Sequence, residues 1–183
     1  MNNIFFRQLE LKKPDYNLGI GGGSHGENTG RMIEKIEKIL KRIKPDYVIV
    51  YGDTDTTLAG AISTSKLNIK LAHIESGLRS YNYDMPEEIN RRITDHCADF
   101  LFATSQLSVN NLINEGIPKN KITNSGDVMY DIFKLANKKK LINKKIIYKY
   151  NLTEKNYLYL TVHRKSNIDF PDNLSKIIKT LST

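Results

Sequence analysis

The chain has 183 residues, 39% hydrophobic and 26% charged, with one Cys, no Trp, and 28 Lys+Arg against 20 Asp+Glu for a net charge of +8. That apolar share supports a core and excludes a disordered chain, while the lone Cys97 excludes a disulfide framework and a Cys-rich zinc site. No apolar run approaches the roughly 20 residues that span a bilayer, and Arg7 and Glu10 interrupt the N-terminal stretch where a signal peptide would be apolar.

A cytoplasmic protein with no membrane partner is therefore expected. In chain order, residues 5–11 read as a short helix, followed by a turn at Pro14 and a glycine-rich segment at 19–23. Ser24 and Glu27 have the Ser-x-x-Glu spacing of a capping box, which opens a long helix to about Ile43, stopped by Pro45. Apolar residues at 33, 36, 39, 40 and 43 recur there at the helical period, which leaves the Lys and Arg of 35–44 on the outer face. Residues 46–51 (DYVIVY) form a short β-branched apolar run, the pattern of a strand buried on both faces. A helix over 54–66, a strand over 69–74, a helix over 86–98 and a strand over 100–103 follow. Then come a helix over 106–115, a strand over 121–124 and a helix over 128–136. Beyond a lysine-rich stretch, 157–162 (YLYLTV) reads as another strand and 171–181 as a final helix.

Helices of this length between strands call for a parallel sheet with right-handed crossovers, the doubly wound α/β class. The basic residues fall on outer helix faces and in the lysine-rich stretch, with no interleaved aromatic platforms, so no nucleic-acid partner is expected. An anionic small-molecule substrate fits the same sign of charge.

In such sheets ligands bind at the carboxyl ends of the strands, which directs attention to the residues just after each one. Asp53 follows the first clear strand, Glu75 and Arg79 the second, Glu87, Glu88 and Arg91 open the next helix, and His163 and Arg164 end the last strand. Asp53 could serve as a helix cap, and Glu87 and Glu88 could offset a helix dipole. His163 could be a satisfied core histidine, and His25, His73 and His96 read mostly as structural. Glu75 is harder to explain in that way, because it ends an apolar strand where a lone carboxylate needs a partner. No two His or Cys stand at ligand spacing with a carboxylate, so no metal is expected. Neither a Gly-x-Gly-x-x-Gly turn after a strand nor a Walker A motif occurs.

The segments GDTDTTLAGA (52–61), AHIESGLRSYNYDMPEEINRRITDHCADFLFATS (72–105), NSGDVMYDI (124–132) and TVHRKSN (161–167) resemble the non-hydrolysing UDP-N-acetylglucosamine 2-epimerases. The similarity runs over essentially the whole chain. It implies a GT-B-type pair of Rossmann-like domains, a cytoplasmic homodimer, and a UDP-sugar substrate epimerised without NAD or metal. The implied route cleaves the C1–O bond, expels UDP and leaves oxocarbenium character that acidifies C2. A base then gives a 2-acetamidoglucal, and UDP adds back after protonation on the other face. By the same resemblance Asp53, Glu75 and Glu87 match the catalytic acids, and His163 matches a histidine near the diphosphate. Arg79, Arg91 and Arg164 enter as substrate-binding candidates, the first two also as supports for the carboxylates. Clustered carboxylates are expected to raise at least one pKa toward neutrality.

Compared with that family, residues 1–140 are read as an N-terminal Rossmann-like domain without its first β-α unit and its Gly-Thr-Arg-Pro-Glu loop. Residues 141–155 are read as a lysine-rich linker and 156–183 as the start of a second Rossmann-like domain. His163-Arg164-Lys165-Ser166 lacks the acid that members often carry there. Two other readings remain: an inactive truncated remnant that binds nucleotide weakly at most, and a GT-B sugar transferase, against which the Glu75 and Glu87 motifs speak.

Overall fold

Ser24 Oγ accepts the backbone N–H of Glu27 at 3.3 Å, the first half of the expected capping box, and helix α1 (His25–Ile43) begins there. It ends where Lys44 turns left-handed at φ 52 and donates its N–H to Leu40 O, just ahead of Pro45. The computed structural model describes residues 6–7, 10–138, 144–153, 155–162 and 165–181. Of the helix expected over 5–11, residues 6–7 are helical, residue 10 is a turn and residue 11 is in no element, while 5, 8 and 9 lie outside the described residues.

By its own contacts the chain divides into two units, Met1–Leu141 and Ile142–Thr183. The first unit continues from α1 through β1 (Tyr47–Tyr51), α2 (Asp55–Lys66), β2 (Lys70–Ser76), α3 (Pro86–Cys97) and β3 (Phe100–Ala103). After α4 (Gln106–Asn114), a 3-10 turn (Lys119–Lys121) leads into β4 (Ile122–Asn124) and α5 (Val128–Lys138). All four strands are parallel and lie in the order β1-β2-β3-β4. This is a Rossmann-like α/β sheet whose described strands step in one direction, as in one wing of a doubly wound sheet.

Register decides which residues reach the core. Val48 and Val50 pair with Leu71 and His73, and His73 pairs with Leu101, so these side chains share one face of the sheet. Val50, Leu71, Leu101, Ala103, Leu112 and Ile117 form the buried cluster between that face and the helices. α2 reaches the sheet through small residues: Gly60 sits so near Val50 that an added Cβ would come within 3.0 Å of its Cγ1. Ser63 on the same helix donates to Ala59 O at 2.8 Å and to Ile33 O of α1 at 3.2 Å.

The other face corrects one expectation. Tyr47, Ile49 and Tyr51 alternate with the buried residues and are exposed, so β1 is buried on one face rather than two. β1 is the edge of the described sheet, and the helices that pack there cover only the Val48–Val50 side.

The second unit comprises α6 (Lys144–Lys149), α7 (Lys165–Ile168) and α8 (Pro171–Leu181). The strand expected over 157–162 does not form, and Leu158 and Tyr159 are 81% and 86% exposed. A strand exists by pairing, and among the described residues nothing pairs with this run. Among the described residues no helix is long and apolar enough to cross a membrane.

Candidate active site

At the end of β1 the chain turns at Gly52, whose φ of +65 favours glycine. The Gly52 N–H donates to Ile74 O at 3.1 Å, which ties the turn to β2. Thr54, and not Asp53, caps α2, since its Oγ1 accepts the N–H of Thr57 at 3.4 Å. That leaves the Asp53 carboxylate for another use. Its Oδ2 accepts from Arg91 Nε at 3.0 Å and Nη2 at 2.6 Å, so α3 holds it from across the sheet edge.

β2 ends irregularly. Its register with β3 shifts between Ile74 and Ser76, and the intervening Glu75 takes φ +74, a left-handed conformation rare for a residue with a side chain. The bulge brings the carboxylate against Gly52, where an added Cβ would lie 3.5 Å from Glu75 Oε2. Burial raises the pKa of Glu75 above the ordinary 4.5, and the nearby charges of Asp53 and Asp127 raise it further, opposed by His73 and Arg91. Strain and a raised pKa thus meet on one carboxylate at the ligand-binding edge of the sheet.

α3 opens with Pro86 at its start and two adjacent glutamates that turn opposite ways. Glu87 is half-buried, and its carboxylate has no hydrogen-bond or ion-pair partner among the described residues. Glu88 is fully buried and accepts from the N–H and Oγ of Ser80 at 2.8 and 3.0 Å, from Arg91 Nη1 at 3.0 Å and from Arg92 Nε at 3.2 Å. Arg92 also stacks on the Tyr83 ring at 4.9 Å, which holds the 80–85 loop against the helix.

Burial pushes the Glu88 carboxyl up, but the donors on Ser80, Arg92 and Arg91 outweigh it and hold it at about 2, below the ordinary 4.5. A folded-state pKa below the unfolded one stabilises the fold at higher pH. The stability from Glu88 should therefore be complete above about pH 4.5 and be lost as pH falls toward 2, a change of about 3 kcal/mol. Urea unfolding midpoints between pH 7 and pH 3 test this, because the E88Q variant should show a shallower acid loss than the parent.

Arg79 does not join the carboxylate cluster. Its fully buried guanidinium binds Glu115 through Nε at 2.8 Å and Nη2 at 2.6 Å, and Asp95 Oδ2 and Leu78 O through Nη1 at 2.8 and 2.7 Å. Burial works against its charge, but the Glu115 and Asp95 carboxylates overcome that and raise its pKa. Arg79 braces α3 and α4 against the β2 end and offers no exposed cation to a substrate. Nearby, Gly77 has φ +80, and a Cβ there would overlap the Ser108 carbonyl oxygen. Gly77→Ala should therefore cost roughly 2 kcal/mol or more, read as a lower unfolding midpoint.

Asp127 was not singled out from the sequence, and His25 and His73 were expected to be mostly structural. Asp127, after β4, acts electrostatically on Glu75, and its Oδ1 accepts the N–H of Met129 at 2.8 Å at the start of α5. His25, at the start of α1, lies 2.7 Å from Asp55 Oδ2, and Asp55 in turn accepts from Asn90 Nδ2 at 3.2 Å. Beneath Glu75, His73 touches both Asp95 and the Gly52 carbonyl. Position just past a strand marks Asp127, whereas the two histidines carry no local signal. His163 and Arg164 lie outside the described residues.

A parallel sheet with carboxylates and arginines gathered at its carboxyl edge defines an α/β protein of the kind that binds ligands at that edge. The family model for UDP-N-acetylglucosamine 2-epimerase matches residues 1–183, and the chain belongs to that family. A UDP-N-acetylglucosamine 2-epimerase homolog of Methanococcus maripaludis is 54% identical over 181 residues, 97% of this chain and 50% of its own length. The crystal structure of the Methanocaldococcus jannaschii UDP-GlcNAc 2-epimerase in complex with UDP-GlcNAc and UDP superposes with a TM-score of 0.90 at 46% identity, covering 99% of this chain and 50% of that one. The UDP-2,3-diacetamido-2,3-dideoxy-D-glucuronate 2-epimerase of Pseudomonas aeruginosa is 45% identical over 186 residues, 100% of this chain and 51% of its own length. The chain thus spans about half the length of the relatives it matches.

Proposed function

We propose that the polypeptide carrying this sequence interconverts UDP-N-acetylglucosamine and UDP-N-acetylmannosamine. The observation that carries the reading is Glu75, a strained carboxylate with a raised pKa that packs on Gly52 within the field of Asp53. A C2 hydrogen becomes removable once the C1–O bond opens and positive charge develops on the ring. A carboxylate with a raised pKa can take that proton from one face, and inversion at C2 needs a second acid to deliver a proton to the other. In this reading Asp53, held by Arg91, and Glu87, unpartnered among the described residues, supply the remaining acid–base and charge-stabilising groups. Arg91 serves as a support for Asp53, and Arg79 as a buried brace.

Three further parts of the proposal are a second Rossmann-like domain beginning after the lysine-rich stretch and a cytoplasmic homodimer, both supported by the family resemblance, and no nucleic-acid partner, supported by the basic residues on outer helix faces without aromatic platforms. Light scattering and salt-dependent retention on DNA test the last two.

Epimerisation in heavy water is the test of the reaction. UDP-N-acetylglucosamine should yield its manno epimer with solvent deuterium at C2, and product that keeps its original hydrogen there would sink this route. The Pseudomonas relative gives a second substrate reading, a UDP-2,3-diacetamido uronate. Turnover of that sugar with none of UDP-N-acetylglucosamine would favour it. Sugar transfer to an acceptor, with no epimer formed, would instead favour the transferase reading.

A further inference from the structure

His73 is fully buried in the middle of β2, and both of its ring nitrogens face acceptors. Nδ1 lies 2.7 Å from Asp95 Oδ1, and Nε2 lies 2.8 Å from the Gly52 carbonyl oxygen. A carbonyl can only accept, so Nε2 must carry a proton. Asp95 already accepts the Gly77 N–H at 3.1 Å through Oδ2, which also lies 2.8 Å from Arg79 Nη1. Asp95 thus faces the His73 ring through Oδ1, while its Oδ2 is taken up by Gly77 and Arg79.

We infer that His73 clamps the Gly52 turn to α3 and thereby positions Asp53 and Glu75, a role that rests on the epimerase reading of those carboxylates. The turn is held from both sides of its peptide. The Gly52 N–H donates to Ile74 O on β2, and its carbonyl accepts from His73. Asp53 leaves directly from this turn, and Glu75 packs its carboxylate against it. The charged groups around the ring are Asp95 and, beyond it, Arg79 on one side, with Glu75 and the Asp53–Arg91 pair on the other. Losing the Nε2 contact would free the Gly52 carbonyl and let both carboxylates drift. A displacement on the order of 1 Å costs about 10²-fold in rate at such sites.

Two measurements test the clamp. The first is ¹⁵N-edited NMR of the 183-residue chain with labelled histidine, which needs no activity. His73 should show an Nε2–H proton that is slow to exchange, as its contact with the Gly52 carbonyl requires. A ring protonated on Nδ1 alone, or an Nε2 proton that exchanges as fast as an exposed one, would overturn the clamp whatever reaction the protein performs. The second compares two amides in the active polypeptide. His73→Gln keeps a donor near the Nε2 position and should retain most of kcat. His73→Asn keeps a donor only toward Asp95 and should lose about 10²-fold in kcat with KM little changed. Equal kcat losses in both variants would overturn the positioning role. A slowly exchanging Nε2 proton in a protein without epimerase activity would leave the clamp standing and sink the epimerase reading alone.

Discussion

Glu75→Gln is expected to slow epimerisation by about 10²-fold or more and, at neutral pH, to leave the fold as stable as the parent or more so. The two effects have one cause. Burial raises the Glu75 pKa, the charges of Asp53 and Asp127 add to it, and His73 and Arg91 only partly offset them. A carboxylate with a folded-state pKa above its unfolded value stabilises the protein most when protonated. Its contribution is fully present below the unfolded pKa and is lost as pH rises through the folded one. At pH 7 the ionised Glu75 therefore costs stability, and the amide, which has the same shape, removes that cost. The amide cannot exchange a proton with C2, so rate and deuterium uptake should fall together. The gain in unfolding midpoint over the parent should shrink as the pH is lowered. An unchanged rate would remove Glu75 from the chemistry, while a large loss of stability at pH 7 would show that the carboxylate is held by contacts that offset its burial.

Local signals made most of the first unit legible in the sequence. The strand over 100–103 falls where expected, as does the helix over 171–181 in the second unit, and Ser24 marks the start of α1 through one hydrogen bond. Features that depend on partners were less legible. The apolar run at 157–162 has strand composition but no strand to pair with among the described residues, and the apolar run of β1 was covered on one face only. The site shows the same division. Asp53, Glu75 and Glu87 follow from where strands end and a helix begins. Arg79 sits beside Glu75 in sequence, yet its side chain is consumed by Asp95 and Glu115 from two helices. A helical spacing could have indicated this: Glu88, Arg91 and Asp95 recur at three and four residues and line one side of α3, as buried partners must. Which of two adjacent glutamates turns inward depends on the rotation of that helix, and packing decides it.

Asp95→Ala should be among the most destabilising single changes in the first unit, by about 3–5 kcal/mol, because it removes one member of a buried charged set and leaves the others in place. Asp95 is 1% exposed and meets three groups at once: the Gly77 N–H, His73 Nδ1 and Arg79 Nη1. Without it the His73 ring loses its acceptor, and Arg79 keeps only Glu115 and the Leu78 carbonyl. Glu115→Ala is the comparison. Glu115 lies nearer the surface, with a side chain 16% exposed, and its loss leaves Arg79 still paired with Asp95. Its cost should be clearly smaller. Urea unfolding of the 183-residue chain measures both. The network predicts more than rank order, since a buried cation is expensive only while its counter-ion is missing. Combining Asp95→Ala with Arg79→Met should therefore cost less than the sum of the two single changes. Additive losses would mean that Asp95 and Arg79 act separately, each through its own backbone contacts, and that the brace beneath Glu75 is not one unit.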